Sequence, residues 1–291
     1  MKLVSFIVQE TTGKRASYGA VIGNRVIDLA TPEASSLRQA LAAGGVPSLE
    51  QRLMANSHHG GLPLDGLTLL PPIPDPNKIL CVGLNYFLHA QEVNMPVPSN
   101  PSVFVRYPNS IVGQNEPILR PPESEQFDYE AEMAIIIGKR GRRISEETAM
   151  QHVAGYCCMA ENSIRDWQRH SAQATPGKNF YRSGALGPWI VTPDEIGDLR
   201  QLEIVGRLNG EVMQHDSIAQ LIFPVPRLIA YLSTFTELEA GDVIATGTPA
   251  GVGMSRKPQR WLRSGDVFEV EITGLGVLRN PVVDETIPQE F

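Results

Sequence analysis

Residues 126–138 read Gln-Phe-Asp-Tyr-Glu-Ala-Glu-Met-Ala-Ile-Ile-Ile-Gly. The apolar run from Met133 to Ile137 predicts a strand in the core of the protein. Side chains alternate between the two faces of a strand, so Glu130 and Glu132 are expected to project on the same side. Two carboxylates on one buried face repel each other and lose hydration, and a hard divalent cation would relieve both costs. The alternative is an edge strand whose acidic face lies in water.

Two further charged residues follow in the middle third of the chain. Glu161 lies in Cys-Cys-Met-Ala-Glu-Asn-Ser-Ile-Arg-Asp-Trp, and Lys178 follows the turn-forming pair Pro176-Gly177. A lysine beside a metal site can pair with a substrate carboxylate or with a developing enolate. The alternative for Lys178 is a solvated position in a loop.

Short strands outnumber helices along the rest of the chain. Asn209-Gly210, between two apolar segments, is a strong signal for a type I′ hairpin turn. Helical patterns are predicted at 36–43, 48–55, 86–93, 145–155 and 226–235. Many short strands joined by hairpin turns predict a β-rich α+β fold, an antiparallel or mixed sandwich or roll, and not a doubly wound parallel sheet.

A proline-rich stretch divides the chain. Residues 69–76 read Leu-Leu-Pro-Pro-Ile-Pro-Asp-Pro, a stiff sequence typical of a linker. We therefore predict a small N-terminal α+β domain at 1–68, a linker at 69–76, and a larger second domain at 77–291.

Composition limits the classes of function. The net charge of −7 gives no electrostatic basis for binding nucleic acid or an anionic membrane. No apolar run approaches the length of a membrane span, and the N-terminal apolar run is too short for a signal peptide. Cys81, Cys157 and Cys158 form no CxxC pair and lie in apolar runs, which predicts reduced, buried thiols in a cytoplasmic protein.

A histidine and a glutamate occupy neighbouring positions of a predicted helix. His89 and Glu92 are three residues apart, and such residues are adjacent on a helix surface. A carboxylate beside an imidazole orients the ring and raises its basicity, as a general base requires. The alternative is a chance pair on a surface helix. The remaining histidines are less promising, including His58 and His59 in a polar turn.

Two further segments are candidates for binding a carboxylate. Thr246-Gly-Thr-Pro-Ala-Gly-Val-Gly follows an apolar strand, and its glycines would let backbone N–H groups approach an anion. It lacks the spacing of a P-loop, and the alternative is a plain turn at a strand end. Arg106 could clamp a carboxylate, or it could lie at a strand end in water.

Taken together, these segments resemble the fumarylacetoacetate hydrolase family, in its branch of acylpyruvate hydrolases and 2-hydroxyhepta-2,4-diene-1,7-dioate isomerases. The resemblance covers about residues 75–288, and the N-terminal region is similar to an accessory domain of many members. The motifs occur in the family's order: Val82-Gly-Leu-Asn-Tyr with His89 and Glu92, Glu130-x-Glu132, Arg165-Asp-Trp-Gln, Pro176-Gly-Lys-Asn-Phe and Thr246-Gly-Thr-Pro-x-Gly-Val-Gly.

The resemblance implies a mixed β-roll, a homodimer, and one Mg²⁺ or Mn²⁺ per subunit. By motif position, Glu130, Glu132 and Glu161 correspond to the metal ligands. Glu161 stands where the family usually has aspartate, and its extra methylene moves the carboxylate by roughly 1 Å. His89 and Glu92 match a catalytic pair, and Lys178 matches the family's lysine. Arg106 stands where many members have lysine.

The leading hypothesis is hydrolysis of a carbon–carbon bond in an acylpyruvate-type 2,4-dioxo acid. His89 would activate a water, Lys178 would stabilise negative charge, and Gly247 and Thr248 would hold a carboxylate. Tyr86 and Arg106 would shape the distal part of the pocket. An alternative on the same site is a decarboxylase of an oxaloacetate-type 2-oxo dicarboxylate, or an isomerase or tautomerase of an unsaturated 2-oxo acid. A third hypothesis is a metal-binding protein without catalysis.

Overall fold

The computed structural model describes residues 1–11, 13–56 and 60–286. His58 and His59, which the sequence assigns to a polar turn, lie outside this part of the chain. No helix in the described segments is both long enough and apolar enough to cross a membrane.

Strands dominate the fold, as the sequence predicts. In chain order they are β1 (Lys2–Glu10), β2 (Gly13–Ile22), β3 (Arg25–Asp28), β4 (Leu62–Pro63), β5 (Thr68–Leu69), β6 (Ile79–Gly83), β7 (Ser102–Arg106), β8 (Ile111–Val112), β9 (Ile118–Arg120), β10 (Phe127–Asp128), β11 (Ala131–Ile137), β12 (Val153–Ala160), β13 (Ser163–Ile164), β14 (Gly184–Val191), β15 (Glu203–Leu208), β16 (Glu211–Ser217), β17 (Val243–Ala245), β18 (Val267–Ile272) and β19 (Gly276–Asp284).

These strands form three sheets. The 12-stranded sheet has the spatial order β4-β3-β2-β1-β14-β12-β11-β17-β6-β7, with β5 beside β1 and β8 beside β14. A 5-stranded sheet has the order β16-β15-β18-β19-β9, and β10 pairs with β13. Parallel and antiparallel pairs both occur, since β17 runs parallel to β6 and antiparallel to β11. The strand-rich α+β fold predicted from the sequence is confirmed.

The described helices are few and mostly short. They are α1 (Leu37–Asn56), α2 (Phe87–Glu92), α3 (Arg165–Gln168), α4 (Thr175–Lys178) and α5 (Val225–Phe235). The two predicted patterns at 36–43 and 48–55 form the two halves of α1, which meet at Gly45 with φ 63° and ψ −168°.

The helix predicted from Ser145 to Gly155 is wrong. A single 3₁₀ turn forms at Ala149–His152, and β12 begins at Val153. The physical reason is the neighbouring strand. Because β12 pairs with β11 from Ala160 back to Val153, the last residues of the predicted helix form backbone hydrogen bonds of a sheet instead.

The first strand joins the N-terminal region to the rest of the fold. Lys2 and Leu3 of β1 pair with Val191 and Ile190 of β14. A buried apolar cluster also combines side chains from both sides of the proline-rich stretch. The linker and domain boundary at 69–76 stays a prediction, and strand pairing crosses it.

Candidate active site

Three buried carboxylates meet at one end of β11 and β12. Glu132 lies within β11, Glu130 precedes this strand by one residue, and Glu161 follows β12. The antiparallel pairing of Ala131 with Ala160 sets the alignment, and the Glu161 N–H donates to the Glu130 carbonyl at 2.9 Å. One carboxylate oxygen from each glutamate lies within 4.8 Å of the others. The structure therefore brings together the three residues that the sequence suggests as metal ligands.

Lysine and arginine side chains pair with two of these carboxylates. Lys178, at the end of α4, contacts Glu161 Oε2 and lies 2.9 Å from Glu130 Oε2. Arg165, at the start of α3, forms ion pairs with Glu130 and with Asp128. All of these side chains are buried. Their close pairing offsets the cost of removing the charges from water.

Arg106 is buried at the end of β7 and points into the protein. Its Nη1 donates to Glu161 Oε1 and to the Asn162 carbonyl, both at 2.9 Å. Its remaining nitrogens donate to Ser110 and Ser183. Every guanidinium nitrogen thus has a protein acceptor, so the arrangement favours a role in holding Glu161. The predicted contact between Arg106 and substrate has no direct support in this geometry.

Glu132 differs from the other two glutamates because no cation in the described part of the chain pairs with it. It accepts a hydrogen bond from the Gly247 N–H at 2.8 Å. Burial, followed by the charges of Glu161 and Glu130, raises the pKa of Glu132 well above the ordinary carboxyl value. For Glu130 the balance is opposite: burial acts to raise its pKa, but Arg165 and Lys178 hold that pKa well below the ordinary value.

The cluster suits a hard divalent cation. Its charges are four carboxylates against three basic side chains: Asp128, Glu130, Glu132 and Glu161 against Arg106, Arg165 and Lys178. The donor atoms are all oxygen, which Mg²⁺ and Mn²⁺ accept and which softer metals do not favour. A bound divalent cation would give Glu132 a positive partner and leave the site with a small positive excess. Such an excess favours an anionic ligand.

The predicted pair of His89 and Glu92 forms on α2. His89 Nδ1 lies 2.8 Å from Glu92 Oε1. Both oxygens of Glu92 also accept from the Gly251 N–H, at 3.1 and 3.0 Å, so the carboxylate is held on two sides. Among the described residues, no protein group forms a hydrogen bond with the other ring nitrogen of His89.

The segment 246–251 connects this pair to the carboxylates. Its Gly247 N–H donates to Glu132, and its Gly251 N–H donates to Glu92. Gly247 has φ 102°, and a Cβ there would lie 2.7 Å from the Cβ of Asn85, so the position requires glycine. The glycines noted in the sequence therefore let backbone donors reach two protein carboxylates.

The predicted substrate contacts Thr248 and Tyr86 are both buried. The Thr248 hydroxyl donates to the Ala131 carbonyl at 2.9 Å and accepts from Gln214, so it is committed to the protein. Its backbone N–H has no acceptor among the described residues. Tyr86 lies in the main apolar core, and its hydroxyl is buried without a partner in that same part of the chain. Their contact with substrate stays a prediction.

Several residues at the site have no role in the sequence-based predictions. Arg165 belongs to a motif noted in the sequence, and Asp128 lies within residues 126–138, two positions before Glu130. Ser163, whose hydroxyl donates to Glu130 at 2.9 Å, and Gln214 carry no motif that would identify them. Strand pairing and a turn of the chain bring both residues to the site. The spacing of residues along the sequence does not reveal such contacts.

The chain is similar to several known proteins. A family model described as fumarylacetoacetate (FAA) hydrolase C-terminal matches residues 78–283. The oxaloacetate tautomerase fahd2, mitochondrial, of Xenopus laevis is 41% identical over 290 residues, which cover 97% of this chain and 90% of that protein.

Two solved structures are also similar. Fumarylacetoacetate hydrolase from Exiguobacterium antarcticum is 34% identical, with a TM-score of 0.79, over 97% of this chain and 100% of that chain. Maleylpyruvate hydrolase from Sphingobium sp. SYK-6, solved in complex with manganese(II) and pyruvate, is 26% identical with a TM-score of 0.80, over 98% and 100% of the two chains.

Proposed function

The chain belongs to the fumarylacetoacetate hydrolase family, and from that premise we propose that it is a divalent-metal-dependent tautomerase of an oxaloacetate-type 2-oxo dicarboxylic acid. The observation that carries the proposal is the convergence of Glu130, Glu132 and Glu161 beside Lys178. The similarity of nearly the whole chain to an oxaloacetate tautomerase supports this choice over the hydrolysis favoured by the sequence.

The three glutamates would hold one Mg²⁺ or Mn²⁺. When bound, such a cation supplies Lewis acidity toward the 1-carboxylate and 2-oxo oxygen of the substrate. Glu130 and Glu161 keep their orientation through Lys178 and Arg106, which limits reorganisation of the site.

His89 would move the proton. Its Nδ1 faces Glu92, so Nε2 is the ring nitrogen available to a substrate. Nε2 would remove a proton from C3, the C3 electron pair would form the C2–C3 double bond, and the 2-oxygen would take up negative charge. Return of the proton to that oxygen gives the enol, and the reverse steps give the keto form.

Lys178 would stabilise the negative charge that develops on the substrate oxygen. Its ammonium group is buried against two carboxylates, and it lies 4.9 Å from the centre of the Phe104 ring. Low exposure to water strengthens this electrostatic effect. The free N–H of Thr248 would donate to a substrate carboxylate.

Hydrolysis of an acylpyruvate is the second candidate, and the pair of His89 and Glu92 favours it specifically. An oriented imidazole with a free nitrogen can deprotonate water as well as carbon. Decarboxylation of oxaloacetate would pass through the same enolate. The homodimer implied by the family resemblance and the cytoplasmic location expected from the sequence also remain proposals, and the Xenopus relative carries a mitochondrial name.

The test follows enol absorbance and pyruvate formation separately. Purified protein with Mg²⁺ or Mn²⁺ receives the enol form of oxaloacetate, and, in parallel, a small panel of acylpyruvates. A tautomerase accelerates the loss of enol without forming pyruvate. Pyruvate from oxaloacetate would instead indicate a decarboxylase, and pyruvate with a free acid from an acylpyruvate would indicate a hydrolase.

His89→Gln is the matched variant for this test. It removes the base but leaves the three glutamates in place, so Mn²⁺ should bind with unchanged affinity while tautomerisation falls by at least about 100-fold. Full activity of this variant would reject His89 as the base. Tight metal binding with no turnover of any substrate by the wild type would support the metal-binding protein without catalysis.

A further inference from the structure

An irregularity in the hairpin of β15 and β16 turns Gln214 into the protein. Gly206 pairs with Gln214 and the next residue, Arg207, pairs with Val212, so Met213 is an extra residue in β16. As a result Met213 and Gln214 are both buried although they are adjacent in sequence. Bulges of this kind redirect side chains and recur beside active sites.

Gln214 makes three hydrogen bonds with its side-chain amide. Its Oε1 accepts from the Ala131 N–H at 2.9 Å, and its Nε2 donates to Thr248 Oγ1 at 2.7 Å and to the Pro249 carbonyl at 2.8 Å. The side chain is 1% exposed, so a lost partner would leave a buried polar group unsatisfied. Both ends of the amide are therefore used.

These partners lie on the two segments that form the site. Ala131 separates Glu130 from Glu132, while Thr248 and Pro249 lie between Gly247 and Gly251. Gly247 donates to Glu132, and Gly251 donates to Glu92 of the His89 pair. Gln214 thus connects the segment of Glu130 and Glu132 to loop 246–251. This loop in turn donates hydrogen bonds to Glu132 and to Glu92, the partner of His89.

The chain leaves space for this side chain. A Cβ added at Gly206 would lie 3.1 Å from Gln214 Oε1 and 3.1 Å from the Cβ of Ala131. The Thr248 hydroxyl also donates to the Ala131 carbonyl, so Ala131 bonds the loop directly through its carbonyl and indirectly, by way of Gln214, through its N–H.

We infer that Gln214 is a positioning residue that fixes loop 246–251 against β11, and through this contact sets the metal affinity of Glu132 and the orientation of Glu92. The inference rests on the proposed metal role of Glu132. Residues that orient metal ligands without touching the metal typically change affinity about 10–100-fold when removed.

The test measures Mn²⁺ affinity by calorimetric titration in the full chain. Gln214→Met keeps the approximate size of the side chain and adds no charge beside the carboxylates, but it loses the acceptor for the Ala131 N–H and the donors to Thr248 and Pro249. We expect Mn²⁺ to bind about tenfold more weakly than to the wild type. Gln214→Asn, which is too short to reach both segments, should weaken binding similarly and serves as the second variant if the first does not fold.

Asn280→Leu is the matched control. Asn280 is a buried amide on β19 that donates to the Gly113 and Glu116 carbonyls, and none of its partners belongs to the carboxylate cluster or to loop 246–251. This variant should lower the melting temperature without changing Mn²⁺ affinity. Gln214 variants that melt lower but bind Mn²⁺ like the wild type would overturn the inference, whereas failure of the wild type to bind Mn²⁺ would instead reject the proposed function.

Amide hydrogen exchange of the wild type provides a test that needs no variant. If Gln214 fixes the loop, the N–H groups of Ala131, Gly247 and Gly251 should exchange slowly and at a common rate, because they open together. Rapid exchange at Gly247 and Gly251 with slow exchange at Ala131 would contradict the inference even if no variant folds.

Discussion

At the scale of single residues, Glu130 and Glu132 are chemically identical but have different partners. Glu130 pairs with Lys178 and Arg165, whereas Glu132 accepts only a backbone N–H among the described residues. Removing one partner of a buried ion pair costs about 3–5 kcal/mol, because the other charge is left buried and unpaired. The two carboxylates should therefore respond differently to the same substitution.

Glu132→Gln should abolish metal binding while leaving the metal-free protein as stable as the wild type. Glutamine still accepts from the Gly247 N–H, and no cation loses its partner. We expect Mn²⁺ affinity to fall by at least about 100-fold. The free energy of unfolding in the presence of a chelator should change by less than about 1 kcal/mol. Titration calorimetry and urea unfolding measure the two quantities.

Glu130→Gln is the control for this prediction. It leaves Lys178 and Arg165 without one of their carboxylates, so it should lower the unfolding free energy by about 3–5 kcal/mol in the same chelator buffer. Equal stability of the two variants would contradict the difference in partners on which the prediction depends.

The residue types at the site could be predicted from sequence better than their roles. Period-two spacing identified Glu130 and Glu132, and helical spacing identified His89 and Glu92. Arg106 shows the limit, because a buried guanidinium with protein acceptors on every nitrogen cannot be distinguished in sequence from a substrate clamp. Ser110 lies only four positions away, but Glu161, Asn162 and Ser183 lie 55 to 77 positions away, and only the fold brings them to Arg106.

At the scale of elements, Asp266 holds the hairpin of β15 and β16 against the start of β18. It accepts from Asn209 Nδ2 at 2.8 Å, from Arg260 Nη2 at 2.7 Å and from the Arg263 N–H at 2.8 Å. Burial acts to raise its pKa, but the hydrogen bonds from Arg260 and Asn209 hold the pKa of Asp266 below the ordinary value. The stability that the ionised Asp266 carboxylate contributes is therefore fully present above its pKa in the unfolded chain. This stability is lost as pH falls through the lower pKa of Asp266 in the folded protein.

Asp266→Asn should destabilise the protein by about 1 kcal/mol between pH 5 and 7, a modest figure because Arg260 is 34% exposed. The difference from wild type should begin to shrink below about pH 4, where Asp266 of the unfolded chain takes up a proton, and should disappear as pH falls through the lowered pKa of the folded state. Urea unfolding at several pH values measures this. Asp284→Asn, which alters a carboxylate that is 55% exposed, is the control and should cost only a few tenths of a kcal/mol.

The bend in α1 gives a second prediction for an element. Gly45 has φ 63° and ψ −168°, a conformation that essentially only glycine adopts. A Cβ there would make only ordinary contact, 3.5 Å from Pro47 Cδ, so the cost of Gly45→Ala is one of backbone conformation. We expect a loss of about 1–3 kcal/mol by thermal unfolding. Gly66→Ala, where a Cβ would meet nothing within 4 Å, should change stability by less than about 0.5 kcal/mol.

Elements with a clear local signal were predictable, and elements decided by their neighbours were not. The Asn209-Gly210 turn formed as expected, with φ 54° and 83°. Residues 145–152 carry a helical pattern, but the following strand pairs with β11 and limits that segment to one 3₁₀ turn. Pairing with a distant strand competes with the local helical propensity, and the sequence pattern reports only that local propensity.

At the scale of the whole molecule, the 12-stranded sheet and one of its apolar clusters extend across the predicted domain boundary. Leu3 and Leu41 lie in a common buried cluster with Ile136, Met159 and other residues of the larger region. Exposing a buried leucine or isoleucine costs about 1.5–3 kcal/mol, so losing several such contacts approaches the whole stability of a typical domain.

Residues 77–291 expressed alone should therefore be aggregated or melt at least about 10 °C lower than the full chain. Gel filtration and circular dichroism measure both properties. Co-expression of residues 1–76 as a separate chain is the control, and it should restore solubility by completing the sheet. A monodisperse fragment that melts like the full chain would show that the larger region folds independently.

The hydrogen bond between Gly251 and Glu92 joins residues 159 positions apart, and this separation determines when the site can form during synthesis. Ribosomes add about 5–20 residues per second, so Gly251, whose N–H donates to Glu92, is synthesised roughly 8–30 s after Glu92. During that time β6 also lacks β17, its parallel neighbour in the central sheet. The nascent chain therefore exposes apolar strand edges until its last quarter emerges, which makes this stage of synthesis the one most open to aggregation or to capture by chaperones.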